Sequence, residues 1–205
     1  MNPINPIKST IYLLRHGATV PSSDKRYIGQ IDIPLSDIGR KQAQWWQEEL
    51  AQIKFDAIYC SDLSRAIDTA QIVAQNQTTE IKSTSQLREI NLGDWDSMGM
   101  QEIRETYPDA WLKRGQQLDR FRPPNGESFQ DLQHRVLTVV ESIEFNSVQN
   151  VLMVSHAGVN RVLICRMLDK PLKDLFQIPQ GEAALNQIFF QNGQFEVVSI
   201  NQLPK

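Results

Sequence analysis

The chain has only two cysteines, Cys60 and Cys165, each set among apolar neighbours. A single pair in a chain of this size is no disulfide scaffold, and neither thiol has a histidine close in sequence or a glycine-rich phosphate loop after it. Both read as reduced core residues rather than as a catalytic thiol. An excess of positive charge is also missing: 21 Lys and Arg face 24 Asp and Glu, a net charge of -3. No basic field is available to hold nucleic acid by its phosphates, so any cationic site must be local. Long apolar runs are absent too. Residues 1–10 are polar with two prolines, and the apolar run that follows, residues 11–14, is too short for a signal or membrane segment. A cytoplasmic protein with no membrane or nucleic-acid partner is expected. No Gly-x-Gly-x-x-Gly follows that run, which sets aside a nucleotide-binding oxidoreductase. There is no internal repeat, low-complexity tract or Ser/Gly/Pro-rich linker, so residues 1–205 are expected to form one domain.

What is present alternates. Residues 11–14, 56–60 and 151–154 are short, mostly apolar runs ending at polar or Gly-containing turns, the pattern of strands buried on both faces. Helical periodicity covers residues 37–53, 63–75, 100–107, 129–143 and 159–168. The expected fold is α/β: a three-layer α/β/α sandwich around a mostly parallel sheet. Ser128 is placed to cap a helix whose apolar face is Phe129, Leu132, Val136, Val139, Val140 and Ile143. Residues 184–190 and 195–200 flank Asn192-Gly193, a hairpin signal that makes the sheet mixed. Residues 87–99 and 115–127 are the least regular and read as long loops over one end of the sheet, where function concentrates. Trp45 and Trp46 read as partly core-facing rather than as an association surface, and a monomer or homodimer is expected.

Three histidines are present, and two share one setting: an apolar strand, the histidine, then a small residue. These are Leu14-Arg15-His16-Gly17 and Val154-Ser155-His156-Ala157-Gly158. In open α/β sheets the carboxyl ends of strands face the ligand crevice, where both imidazoles can meet. His134 falls off the apolar face of its helix and reads as a surface residue. A lone strand-end histidine is more often structural than catalytic. The pairing, with Arg15 beside it, argues otherwise, because a guanidinium at such a turn is costly to bury unless an anion or carboxylate answers it. The second strand ends likewise in Ser61-Asp62-Leu63-Ser64-Arg65-Ala66, placing Arg65 in the first turn of a helix, where backbone amides already favour an anion. The bland alternative is that Arg65 pairs with Asp62 or Asp68.

Arg15-His16-Gly17 with Thr19, then Arg26, Gly29, Asp32, Pro34 and Leu35, then the turn at residues 61–66, resembles the histidine phosphatase superfamily, also called phosphoglycerate mutase-like. The likeness continues through Leu87-Arg88-Glu89, Gly93-Asp94-Trp95, Asn125-Gly126-Glu127-Ser128 and Ser155-His156-Ala157-Gly158-Val159. It implies that His16 is a phosphoryl-accepting nucleophile, that Arg15, Arg65 and His156 hold the phosphoryl oxygens, and that Glu89 is the general acid. Without it, Glu89 could not be chosen over Asp94 or Asp96. Thr19, Ser22, Arg26, Gly29 and Ala157 match positions near the substrate. No cofactor and no metal are expected, since Arg15 and Arg65 would repel a cation at His16 and His156.

Two departures bear on the substrate. Pro21-Ser22 stands where the family often has Trp-Asn, so Ser22 offers one hydrogen bond in place of an amide, and Trp95-Asp96-Ser97 stands for the common Trp-Glu-Gly. The resulting expectation is a phosphomonoesterase acting on a small phosphorylated metabolite. Residues 121–128 and the short chain look like the α-ribazole 5'-phosphate phosphatases of cobalamin synthesis. The alternatives are a phosphoglycerate mutase, which usually carries extra chain around the site, and a noncatalytic module that binds phosphorylated ligands. Binding alone needs neither nucleophile nor acid.

Overall fold

The three apolar runs become strands of one sheet in the computed structural model, which describes residues 8–21, 26–145 and 149–205. Ser22 lies outside the described residues. The strands are β1 (Ser9–Arg15), β2 (Ala57–Ser61), β3 (Ile81–Thr84), β4 (Asn150–Ser155), β5 (Leu185–Gln191) and β6 (Gln194–Gln202), in the order β3-β2-β4-β1-β5-β6. Pairing is parallel from β3 through β2 and β4 to β1, whereas β5 runs against both β1 and β6. The sheet is therefore mixed but mostly parallel. Asn192 and Gly193 both have positive φ, 54° and 78°, the twist a two-residue hairpin turn requires.

Side chains of the central strands alternate between two cores. Ile11, Leu13, Val151 and Met153 face one, and Tyr12, Leu14, Leu152 and Val154 the other. The helices are α1 (Asp37–Glu49), α2 (Ser64–Val73), α3 (Met100–Thr106), α4 (Pro108–Gln116), α5 (Phe129–Glu141) and α6 (Ala157–Met167). Helices α5 and α6 cover the first face through Leu132, Val136, Val159 and Val162, while α1 and α2 cover the second through Ala43, Trp46, Ala66 and Ala70. Cys60 and Cys165 are buried in opposite cores and remain free thiols. Trp46 is buried and donates its indole N–H to the Ala183 carbonyl at 2.7 Å, with Trp45 packed edge-on against it.

The anticipated cap is present: Ser128 Oγ accepts from the Asp131 amide at 3.1 Å, and the Asp131 carboxylate accepts from Ser128 N at 2.9 Å. Helix α1 stops at Glu49, short of the expected residue 53, because Leu50 closes it and the chain turns back towards β2. Two elements were not anticipated. Strand β3 is a four-residue, mostly polar edge strand, and α4 buries none of its residues fully, Ala110 and Trp111 being only half-buried. Helices α3 and α4 frame a third, aromatic cluster of Trp95, Ile103 and Phe121 with Tyr107 and Trp111. No helix among the described residues is long and apolar enough to cross a membrane.

Candidate active site

Strands β2, β4 and β1 are neighbours and parallel, so their carboxyl ends deliver Arg65, His156 and the Arg15-His16 pair to one place. The two imidazoles meet edge to face, with ring centroids 5.1 Å apart and planes inclined by 60°. His16 is 7% exposed and His156 is fully buried. The Nδ1 of His16 bonds the Gly17 carbonyl at 2.7 Å, which requires Nδ1 to carry the proton and leaves Nε2 with a free lone pair. Burial first, then Arg15 and Arg65, hold His16 well below the ordinary imidazole pKa, so the ring is neutral. His156 is lowered in the same way by burial and then by His16, Arg65 and Arg15. Neither of its ring nitrogens has a hydrogen-bond partner among the described residues, an expensive state for a buried group unless a ligand completes it.

Among the described residues the two arginines donate to carbonyls and to no carboxylate. Arg65, 1% exposed, donates from Nη1 to Ile31 O at 2.8 Å and from Nη2 to Gly29 O at 2.7 Å. The alternative pairings do not occur, because Asp62 is taken by Arg88 at 2.7 Å and Asp68 by Arg40 at 2.7 Å. Arg15 gives Nη1 to the Gln180 carbonyl at 2.8 Å, and its buried Nε has no partner among the described residues. Two guanidiniums without carboxylate hydrogen-bond partners among the described residues, beside two neutral imidazoles, form a positively charged cluster with unmet donors. It suits a tetrahedral dianion.

Glu89 stands at the rim. Its Oε2 accepts from the Gly158 amide at 2.9 Å, in the first turn of α6, and its Oε1 accepts from the Ile90 amide at 2.9 Å. A Cβ on Gly158 would lie 2.2 Å from Glu89 Oε1, so the carboxylate reaches His156's helix only because this residue is glycine. The competing acids are occupied elsewhere: Asp94 accepts from Asn125 at 3.0 Å, and Asp96 accepts from the amides of Gly29, Gln30 and Ile31 at 2.8 to 3.1 Å. Arg135 secures the Glu89 segment from behind. It forms a bidentate pair with Glu127 at 2.9 and 2.8 Å and donates to the carbonyls of Gln86, Arg88 and Glu89.

The other expected residues that the structure describes, Thr19, Arg26, Gly29 and Ala157, have the following local partners. Thr19 forms a bridge with Leu35, Arg26 is exposed and donates to Ser97 O at 2.8 Å, and Gly29 contributes the carbonyl that holds Arg65. Ala157 is the first residue of α6, where His156 is the N-cap. Residues missed from the sequence include Gly158, Arg135, Arg161 and Gln180. Gln180 joins a buried network with Asn160, Asn186 and Ser155 that fixes the carbonyl serving Arg15. Only Gly158 carried a sequence signal, its place in the Ser155 to Val159 motif. A cavity of about 230 Å³ opens beside Glu89 and Gly158, walled by Tyr27, Leu92, Trp95, Phe121, Phe129 and Phe176, with Arg114 and Arg161 also on its lining.

The sequence pattern of the histidine phosphatase superfamily (branch 1) matches residues 11–203. The adenosylcobalamin/alpha-ribazole phosphatase of Escherichia coli is 35% identical over 178 residues, covering 83% of this chain and 86% of that one. The glucosyl-3-phosphoglycerate phosphatase of Mycolicibacterium vanbaalenii is 34% identical over 170 residues, covering 79% and 75%. Among solved structures, the alpha-ribazole phosphatase of Shigella flexneri superposes with a TM-score of 0.87 at 27% identity, over 94% of this chain and 96% of that one. With its paired strand-end histidines and arginines in a matching fold, the chain belongs to the histidine phosphatase superfamily and is a phosphatase of that superfamily.

Proposed function

We propose that the protein hydrolyses a small phosphate monoester through a phosphohistidine on His16, and that its leaving group is an alcohol that carries an apolar aromatic ring system, such as α-ribazole. The supporting observation is the state of His16: neutral, with a protonated Nδ1 donating to Gly17 O and an unprotonated Nε2, beside two arginines that have no carboxylate hydrogen-bond partner among the described residues. In the first step the Nε2 lone pair attacks phosphorus, an N–P bond forms, and the ester P–O bond breaks. The Glu89 carboxyl proton goes to the departing alkoxide. Arg15, Arg65 and a His156 N–H hold the three equatorial oxygens, where charge must be stabilised through the in-line transfer. In the second step the Glu89 carboxylate takes a proton from water, the water oxygen attacks phosphorus, and the N–P bond breaks to release phosphate and neutral His16.

The cavity beside Glu89 supports an aromatic leaving group. An apolar cavity of about 150 Å³ already admits benzene, and this one is larger, about 230 Å³, and largely apolar. A second reading, a leaving group with a carboxylate such as a phosphoglycerate, rests on Arg114 and Arg161. Those cations are already engaged: Arg114 lies over Tyr27 and Trp111, and Arg161 donates to Ile178 O and lies over Phe176. Release of inorganic phosphate from α-ribazole 5'-phosphate, 3-phosphoglycerate, nucleotides, sugar phosphates and p-nitrophenyl phosphate, with EDTA present, tests the reading. The expected result is turnover that favours the α-ribazole ester and is lost in His16→Ala. Isomerisation of 3-phosphoglycerate without phosphate release would favour a mutase, and binding without turnover a noncatalytic module.

A further inference from the structure

Among the described residues Arg65 is held by backbone carbonyls alone, so its aim depends on what holds that backbone. Its two acceptors, Gly29 O and Ile31 O, belong to one short loop. That loop has neither helical nor strand hydrogen bonds to fix it. Instead the three successive amides of Gly29, Gln30 and Ile31 all point at one carboxylate. Gly29 N donates to Asp96 Oδ1 at 2.8 Å, and Gln30 N and Ile31 N donate to Asp96 Oδ2 at 2.8 and 3.1 Å. The N–H of Gln30 and the C=O of Gly29 are the two ends of the same planar peptide group. A negative charge on the N–H end polarises that group and strengthens its carbonyl as an acceptor. Asp96, peptide 29–30 and the Arg65 guanidinium thus form one continuous charge-assisted chain.

The same loop reaches the other side of the site. The Gln30 side-chain amide donates to the Glu89 carbonyl at 3.0 Å, so a displacement of residues 29–31 would disturb both the phosphate-binding arginine and the acid segment. We propose that Asp96 is a positioning residue for catalysis: it touches no substrate, but its carboxylate fixes the loop whose Gly29 and Ile31 carbonyls aim Arg65 at the phosphoryl oxygens, and polarises the Gly29 carbonyl. This rests on the reading of Arg65 as a phosphoryl-binding group. The chemistry requires a carboxylate specifically. An asparagine would present an NH2 donor to at least one of three backbone donors, so Asp96→Asn replaces an attraction by a donor–donor clash, whereas Asp96→Glu retains two acceptor oxygens.

The test is a double-mutant cycle of Asp96→Asn with Arg65→Ala, read by kcat/KM for p-nitrophenyl phosphate and by the inhibition constant of orthovanadate, which mimics the pentacoordinate phosphorus. Thermal melting with and without vanadate gives a binding readout independent of turnover. Asp96→Asn is expected to weaken vanadate and lower kcat/KM by about ten- to hundredfold, the size of a lost charge-assisted hydrogen bond. Asp96→Glu is expected to recover most of the loss. In the Arg65→Ala background the Asn substitution should change little, because its effect is transmitted through that side chain. Losses that multiply across the two sites, or an Asp96→Asn enzyme that binds vanadate like wild type, would overturn the proposal while leaving the phosphatase reading intact. If Asp96→Asn fails to melt cooperatively, Asp96→Glu decides: vanadate affinity like that of Arg65→Ala overturns the proposal. An Arg65→Ala enzyme as active as wild type would overturn both, starting from the site reading.

Discussion

At the scale of single residues, the site is made by groups whose environment leaves one property unused. His16 and His156 are kept neutral chiefly by burial. The sign of the resulting stability dependence follows from linkage: below about pH 6.5 the unfolded chain's imidazoles take up protons that the native ones refuse, so stability falls as pH falls. Urea unfolding of the ligand-free protein between pH 7.5 and 5.5 should show a declining stability, with a visibly shallower slope for His156→Gln. Gly158→Ala is expected to lower kcat by about tenfold or more without unfolding the protein, since a 1 Å displacement of an acid can cost a hundredfold and the new Cβ would sit 2.2 Å from Glu89 Oε1. Steady-state kinetics beside a melting curve checks it. Ser97 has φ 70° where relatives of this pattern often carry Gly, so Ser97→Gly should raise stability by about 0.5–1 kcal/mol, measured by denaturant midpoint. Burial pushes the Cys60 thiol up to about 11 and raises Cys165 as well, so neither should react with a thiol reagent until the protein unfolds.

At the scale of elements, the strand-to-helix turn is the recurring unit. Strand β4 ends at Ser155 and the next residue, His156, is the N-cap of α6, while β2 runs through Asp62 and Leu63 into α2. Leu63 has no capping side chain, and the missing acceptor comes from Asp32, which takes Ser64 N at 2.8 Å and Ser64 Oγ at 2.7 Å. The loop of residues 29–32 therefore secures both the start of α2 and Arg65 within its first turn. Helix α5 has its own cap, and Ser128→Ala should cost about 1 kcal/mol, read from chemical denaturation. Much of this level was legible. The three buried strands, the amphipathic helices and the Asn192-Gly193 hairpin announced themselves because period and turn chemistry are local. Helix α4 and strand β3 were not legible, because a nine-residue helix whose few apolar residues are at best half-buried and a four-residue polar edge strand leave a weak trace.

At the scale of the whole molecule, the sheet order turns separated motifs into one site. Arg15 and His16, Arg65, and His156 come from three parts of the chain, and only the β2-β4-β1 adjacency makes them neighbours. Their identity was readable from residue type, since arginines and histidines at strand ends are conspicuous. Their supports were not. Nothing in the sequence told that Asp96 would gather three amides, that Arg135 would hold the Glu89 segment, or that Gln180 would lend its carbonyl to Arg15, because backbone acceptors have no residue code. The phosphoryl group proposed to sit on His16 can be trapped. The protein is mixed with excess substrate, quenched in alkali, which preserves phosphoramidates, and its peptides are analysed by mass spectrometry. One phosphoryl group is expected on His16 and none on the His16→Ala protein, which should also lose turnover by roughly four orders of magnitude. A phosphoryl group on any other residue, or unimpaired turnover in His16→Ala, would contradict it.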